Sequence, residues 1–151
     1  MKEVILIPLG ILTALIVILV TLYVRLFLII KNRTNAALNL VKRHKIFLTD
    51  KYANFFGQNS KGMGQNRGNG ILIFTDKGIF FEMWFPKKSM HIPLASIIKA
   101  DKVTTFLGKT KSKPLLKIQF YNDKGMMDSA AWLVKDPDKW VFRINKVVKN
   151  V

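Results

Sequence analysis

The feature that most constrains this chain is a long apolar run near its N-terminus, from Val4 to Val24, which contains no charged side chain. A helix over this run would extend about 31 Å at about 1.5 Å per residue, close to the ~30 Å hydrocarbon core of a bilayer. Lipid offers the backbone no hydrogen-bond partners, so a helix is the expected conformation. The apolar pattern resumes after Arg25, and we therefore predict a transmembrane helix over residues 4–30.

A cleavable signal peptide is the alternative explanation of such a segment. Its apolar core would be about 7–15 residues long and would end at small residues. Here the run is longer and leads into Lys31-Asn32-Arg33-Thr34, so we expect an uncleaved anchor. Lys2 is the only basic residue before the run, whereas several basic residues follow it. The positive-inside rule then predicts a single-pass protein of the cell membrane with its N-terminus outside and its C-terminal domain in the cytoplasm. The basic residues at or after the end of the run are Arg25, Lys31, Arg33, Lys42, Arg43 and Lys45.

The remainder of the chain is strongly basic. The 151 residues carry a net charge of +16, and residues 1–30 contribute only +1 through Lys2, Arg25 and Glu3, which leaves +15 for residues 31–151. Such a domain attracts anions, namely phospholipid headgroups, acidic proteins or nucleic acid. Nucleic acid is not favoured, because no RNP-like, helix-turn-helix or zinc-finger pattern is present. The absence of cysteine excludes disulfides and thiolate chemistry.

Residues 31–70 are predicted to form a basic juxtamembrane connector followed by a Gly/Asn-rich loop. Anionic lipid attracts each Lys or Arg close to the bilayer by about 1 kcal/mol. The same cations would equally serve as a topology determinant without a ligand of their own. Range 57–70 contains five glycines and only one strong apolar residue, Met63, which predicts a loop. The connector cations are Lys31, Arg33, Lys42, Arg43 and Lys45.

From Ile71 onward the pattern is typical of β-strands. Asp76-Lys77-Gly78 and Asn122-Asp123-Lys124-Gly125 each separate two β-rich runs and supply a glycine for a tight turn. The pattern predicts six strands, and Tyr52–Phe56 is the place for a seventh. The six are Ile71–Thr75, Ile79–Phe85, Met90–Leu94, Ile97–Leu107, Leu115–Tyr121 and Asp128–Val134.

A C-terminal helix is predicted after the last strand. Asp136 is a good N-cap, Pro137 suits the first helical position and Asp138 complements the helix dipole. The helix would cover an opening of the sheet with an apolar stripe. The predicted fold is therefore one transmembrane α-helix plus a mainly β domain at 71–151, an antiparallel β-barrel or sandwich of six to seven strands with a C-terminal capping α-helix. The stripe consists of Trp140, Val141, Ile144, Val147 and Val148.

This arrangement resembles the pleckstrin-homology (PH) superfold, in particular the GRAM and bacterial PH-like domains. The resemblance rests on Gly70–Thr75 entering the Asp76-Lys77-Gly78 hairpin, on Ile92–Ile97, which is similar to the "I-P-L-x-x-I" element of GRAM-like domains, and on the helix after Trp132. It covers residues 70–149, about half of the chain. It implies a membrane-proximal binding module, and PH and GRAM domains often bind phosphoinositides through basic strand-connecting loops.

Catalytic chemistry finds no support in the sequence. Gly108-Lys109-Thr110 resembles the end of a P-loop, but the motif requires a glycine at the position of Val103. The histidines, His44 and His91, are far apart in the sequence, and most of the aspartates occupy turn or cap positions. We therefore expect a non-enzymatic protein without a metal or a cofactor.

Basic residues at the strand connections are the strongest candidates for a binding site. Lys109, Lys111 and Lys113 alternate with hydroxyl residues, so an extended loop would aim three ammonium groups to one side, toward a phosphate-bearing headgroup. Lys87 and Lys88 lie at another connection. Three interpretations follow: binding to anionic phospholipid, binding of a membrane-associated protein by a tethered scaffold module, and a solvated basic face without a ligand.

Overall fold

A computed structural model describes the backbone of residues 2–150 and the side chains of residues 10–150. The chain divides after Arg33 into two compact units, residues 1–33 and residues 34–151. The helix α1 covers Lys2–Leu40. Its greater part forms the first unit, and its last turns, from Thr34 onward, belong to the second unit. Among the described residues, one helix is long and apolar enough to cross a membrane, and it covers Gly10–Leu40.

The second unit is built on one antiparallel sheet that curls into a half-barrel. Its spatial order is β4-β3-β2-β1-β7-β6-β5, so β1 is the central strand and β4 and β5 are the edges. Short 3₁₀ turns at Asn59–Lys61 and Leu94–Ser96 follow β1 and β4. The strands are β1 Ile46–Gln58, β2 Gly68–Thr75, β3 Gly78–Met83, β4 Lys88–Pro93, β5 Ile97–Phe106, β6 Lys109–Tyr121 and β7 Met127–Leu133.

The predicted fold class is confirmed: an apolar N-terminal helix, a curled antiparallel sheet of seven strands and a C-terminal helix. Gly78 takes the predicted tight-turn position between β2 and β3, with a φ of +129°. A side chain there would also clash with the carbonyl of Ile92 on the neighbouring strand. Glycine is therefore required at this turn by conformation and by space.

The strand β1 contains the predicted seventh strand, Tyr52–Phe56, and extends beyond it into the range 31–70 that was predicted as connector and loop. It runs through the middle of that range and pairs with both β2 and β7, and α1 continues as far as Leu40. Its register is interrupted between Ile46 and Leu48, between Asp50 and Ala53, and again near Gly57. Each bulge shifts the alternation of buried side chains. The sequence of β1 therefore lacks a regular period of two.

The helix α2, Pro137–Val148, covers the core face of the sheet. It begins as predicted: the Asp136 carboxylate accepts a hydrogen bond from the Lys139 backbone N–H at 3.0 Å. Its apolar stripe buries Trp140 and Ile144 in the main core. The Asn145 side chain fixes the helix to β5 by bonding both the N–H and the C=O of Ala100, at 2.8 and 2.9 Å. Such paired bonds specify the register of the helix on the sheet.

The opposite face of the sheet is also covered in part. Ala37 and Val41, at the end of α1 and just beyond it, pack against Ile71 and Ile73 of β2, while Leu72 and Phe74 point into the main core. Because both faces of β2 are buried, its sequence is a continuous apolar run and not an alternating one.

Candidate anion-binding site

The positive charge of the second unit is largely unneutralised within the described residues. The ion pairs there are Lys99–Asp101, at 3.0 Å, and Lys102–Asp138. Most of the other carboxylates accept hydrogen bonds from backbone N–H groups and thus hold turns and caps. Lysines in excess of these two pairs therefore remain available to external anions. The carboxylates bonded to backbone N–H groups are Asp50, Asp76, Asp128 and Asp136.

Two lysines at strand starts, Lys88 and Lys109, contact Gln65, and Lys61 lines a cavity together with Lys88. We call Lys61, Lys88, Lys109 and Gln65 the Gln65 cluster. Lys109 Nζ donates to the Gln65 backbone carbonyl at 2.9 Å, and Lys88 Nζ lies 3.3 Å from Gln65 Oε1. The Gln65 side chain in turn bonds the backbone of Gln58 in both directions, at 2.7 and 3.0 Å. The Gly/Asn-rich loop is thus ordered here, and it carries a cationic site.

The electrostatics of the cluster centre on Lys88. Its Nζ lies 4.1 Å from the centroid of the Phe55 ring, over the end of the core. Burial lowers the pKa of Lys88 below its usual value, and the positive charges of Lys61 and Lys109 lower that pKa further. No ion pair between these three lysines and a carboxylate occurs in residues 10–150. An anion beside Lys88 would relieve this repulsion and favour the charged amine.

Asp128 holds the turn that carries Lys61. Its carboxylate accepts hydrogen bonds from the backbone N–H of Ser60 at 3.0 Å, from Gln58 Nε2 at 2.6 Å and from the Ser60 hydroxyl. Burial by itself would raise the pKa of Asp128, but the hydrogen bonds from Ser60, Gln58 and Ser129 outweigh burial and lower it. Asp128 is therefore a structural carboxylate and not a partner of the lysines.

A separate groove of about 880 Å³ lies between β1, β6 and the start of α2, and we call it the α2 groove. It contains Lys113 and three lysines that the sequence did not single out. The carboxylate of Asp50 connects β1 to the segment before α2 by accepting hydrogen bonds from the backbone N–H groups of Tyr52 and Lys135, at 2.9 and 2.7 Å. The lysines of the α2 groove are Lys51, Lys113, Lys135 and Lys139.

The structure thus distributes the five predicted lysines over different surfaces. Lys88 and Lys109 come together in the Gln65 cluster, Lys113 lines the α2 groove, and Lys87 and Lys111 are exposed. The residues predicted to form an extended loop belong to β6, whose pairing with β5 is interrupted between Val103 and Thr105. Their alternation therefore does not aim them at one ligand. Their role in binding stays a prediction.

The predicted juxtamembrane cations also lie in different structural elements. Lys31 and Arg33 belong to α1, and Lys42 and Arg43 follow its end. The Lys45 backbone N–H donates to the Asp76 carboxylate at 3.0 Å, and the Lys45 carbonyl accepts from the Asp76 backbone N–H at 3.1 Å. These bonds fix the start of β1 beside the β2–β3 turn.

Sequence reasoning missed Lys61, which completes the Gln65 cluster. It lies in a glycine-rich segment predicted to be a loop, and no local pattern indicates which other connections that loop approaches. His44 and His91 both lie against Phe80, with ring centroids 6.3 and 4.2 Å away. Residues 10–150 contain no group of three or more His, Asp or Glu side chains placed to hold a metal ion.

Replacing Lys109 by methionine is expected to loosen the Gly/Asn-rich loop. The variant loses the bonds from Nζ to the carbonyls of Gln65 and Phe56, and one such bond to a charged group contributes about 1.5–3 kcal/mol. Hydrogen exchange of the amides in 59–67 should accelerate about tenfold or more. Lys111→Met is the matched control, because Lys111 is exposed and its side chain bonds nothing in the described residues. Equal exchange in both variants would contradict the tethering role.

Comparison with known proteins supports the fold. No protein-family model and no curated protein matches the chain. A chain of the solved structure "The 8S snRNP Assembly Intermediate" is similar over 71% of this chain and 81% of its own length, with 8% sequence identity and a TM-score of 0.50. At this identity the likeness concerns the fold alone. The curled antiparallel sheet with a C-terminal helix is compatible with a PH-like fold.

Proposed function

We propose that this chain is a single-pass membrane protein whose non-catalytic, PH/GRAM-like domain lies on the cytoplasmic face and binds anionic phospholipid headgroups. The observation that carries the proposal is the Gln65 cluster, in which Lys61, Lys88 and Lys109 converge without a paired carboxylate in the described residues. A phosphate group is the natural complement of such a site, because each ammonium retains N–H donors and, among the described residues, none of the three forms an ion pair with a carboxylate.

The helix α1 supports residence in a membrane. Apolar side chains along it, such as Ile11 and Leu19, are more than half exposed, which is stable when lipid surrounds the helix. By the positive-inside rule, the cations that follow the apolar run favour the cytoplasmic side for the domain, and anionic lipids are concentrated on that side. The anchor already holds the chain at the bilayer, so binding of headgroups would orient the domain and not recruit it.

Flotation with vesicles tests the proposal on the full chain. The chain is reconstituted into phosphatidylcholine nanodiscs and mixed with vesicles of phosphatidylcholine alone or with about 30% phosphatidylserine. We expect the discs to float with anionic vesicles only, and the binding to weaken when salt is raised from about 50 to about 500 mM, because ions screen the attraction.

Variants connect that binding to the cluster. Lys61→Gln combined with Lys88→Gln should weaken flotation with anionic vesicles about thirtyfold, at about 1 kcal/mol per lysine. The matched control, Lys77→Gln with Lys135→Gln, removes two exposed lysines from connections at the opposite end of the sheet. The proposal fails when wild-type discs do not float with anionic vesicles at low salt.

A second candidate function is that of a scaffold module that binds a membrane-associated protein. It is favoured by a largely apolar cavity of about 260 Å³ beside the edge strand β4, which contains the exposed side chain of Leu40. Crosslinking from Leu40 in native membranes would test it, with a defined protein adduct as the expected result. The cavity is lined by Ala37, Leu40, Phe80, Phe81, Glu82, Ser89, Met90 and His91.

A further inference from the structure

Three strand connections lie together at one end of the half-barrel, and we call this end the loop end. They are residues 59–67 between β1 and β2, 84–87 between β3 and β4, and 122–126 between β6 and β7. The antiparallel register places them together because each connection joins strand ends at the same level of the sheet. Two Cα pairs establish this: Gly70–Met83 relates the first connection to the second, and Gln58–Ala130 relates the first to the third.

Exposed apolar side chains concentrate at the loop end. Nine large apolar side chains are exposed in residues 34–150, and five of them lie here, whereas connections 76–77, 94–96 and 134–136 at the other end expose none. Single exposed apolar residues are ordinary, but this clustering on separate connections is not explained by the core. The five are Met63 (69%), Phe85 (76%), Tyr121 (53%), Met126 (54%) and Met127 (67%).

Lysines flank each of these apolar tips. Lys61 accompanies Met63, Lys87 follows Phe85, and Lys124 precedes Met126 within its turn. A cavity of about 250 Å³ between the connections is lined by both Lys61 and Lys88 as well as by Tyr121. Apolar side chains surrounded by cations match the interface of an anionic bilayer, where acyl chains begin just below the negative headgroups.

We infer that the loop end is a membrane-contact surface that inserts the side chains of Met63, Phe85, Met126 and Met127 among the headgroups of an anionic bilayer. The inference rests on the proposed binding of anionic phospholipid and adds an apolar component to it. Lysines at the Gln65 cluster hold the phosphates, and the apolar tips enter the layer beneath them. Because burial of apolar surface is not screened by ions, part of the binding persists at high salt.

Tryptophan reporters test the depth of insertion. The full chain is reconstituted into nanodiscs of phosphatidylcholine and about 30% phosphatidylserine, with or without brominated phosphatidylcholine as a contact quencher. Phe85→Trp and, in a second variant, Met127→Trp should lose most of their added emission to bromine. Phe142→Trp, on the exposed face of α2, should keep its emission. Unquenched reporters at both positions would overturn the inference, as would equal quenching in discs without phosphatidylserine.

A flotation arm separates this inference from the proposed function. Phe85→Ser with Met126→Ser and Met127→Ser should weaken binding to anionic vesicles about tenfold or more and remove the salt-resistant part. Ile46→Ser with Phe142→Ser is the control, since both residues are exposed outside the loop end. When wild-type flotation persists but the tip variant binds normally, the loop-end inference falls and phospholipid binding stands. When wild-type flotation is absent, phospholipid binding falls as well.

Discussion

Trp132→Ala is expected to lower the free energy of unfolding of the domain by about 3–5 kcal/mol, which is enough to unfold a large fraction of a marginally stable domain. Trp132 lies on β7, is fully buried and contacts the rings of Phe55 and Phe81 at centroid distances of 5.6 and 5.8 Å. Removing the indole leaves a cavity in the main core, under the strand β7, which pairs with both β1 and β6. Pulse proteolysis of the full chain in nanodiscs across a urea series measures the loss.

Two comparison variants show how much of the stability loss is due to the size and burial of the side chain. Trp132→Phe keeps one six-membered ring and removes the rest of the indole, including an Nε1–H that bonds nothing in the described residues. It leaves a smaller cavity and should lower the free energy of unfolding by less than Trp132→Ala does. Phe142→Ala removes a ring that is 67% exposed and should change stability by less than about 0.5 kcal/mol. A urea midpoint for Trp132→Ala close to that of Phe142→Ala would show that the core is not organised around this indole.

Asp128→Asn is expected to have the second largest effect and to lower the free energy of unfolding by about 2–3 kcal/mol at neutral pH. The carboxylate, 2% exposed, accepts bonds from Ser60, Gln58 and Ser129, whereas an asparagine offers one oxygen and turns N–H groups toward the same donors. The 3₁₀ turn that carries Lys61 should loosen as a consequence. Faster hydrogen exchange at residues 59–61, together with a lower urea midpoint, would report both effects.

The pH dependence of the Asp128 variant has a definite sign. The pKa of Asp128 is lowered in the folded chain relative to about 3.9 in the unfolded chain. Its stabilisation is therefore complete above about pH 5 and is lost as pH falls through the folded pKa. The stability difference between wild type and Asp128→Asn should shrink between pH 7 and about pH 3. Asp123→Asn is the control because Asp123 is exposed, and its stability difference from wild type should not change in this way with pH. A stability difference for Asp128→Asn that does not depend on pH would contradict the prediction.

Local signals were sufficient for most of the elements. The N-cap of α2 and the glycine turn at Gly78 depend on neighbours within a few residues, and the structure confirms both. Of the strand β1, only the segment Tyr52–Phe56 was predicted. Its bulges near Asp50 and Gly57 break the period of two, and only pairing with β2 and β7 shows that it is continuous.

The candidate site was only partly predictable for a related reason. Lys88 and Lys109 were singled out from their position in connections, but their sequence spacing carries no information on distance in a curled sheet. Gln65 joins them through a side chain and a backbone carbonyl from a third connection. The predicted grouping of Lys109 with Lys111 and Lys113 assumed an extended loop, and the interrupted pairing of β6 separates them.

The sequence by itself determined the apolar helix, the antiparallel β class of the domain and its excess of positive charge. These are properties of composition and of short-range periodicity, which a single segment expresses without its neighbours. Only the tertiary structure decided that β1 is the central strand, that Asp128 is committed to a turn, and that Lys61 completes a cluster with Lys88 and Lys109. Those outcomes depend on strand register and on the curl of the sheet, which bring together residues that are distant in the chain.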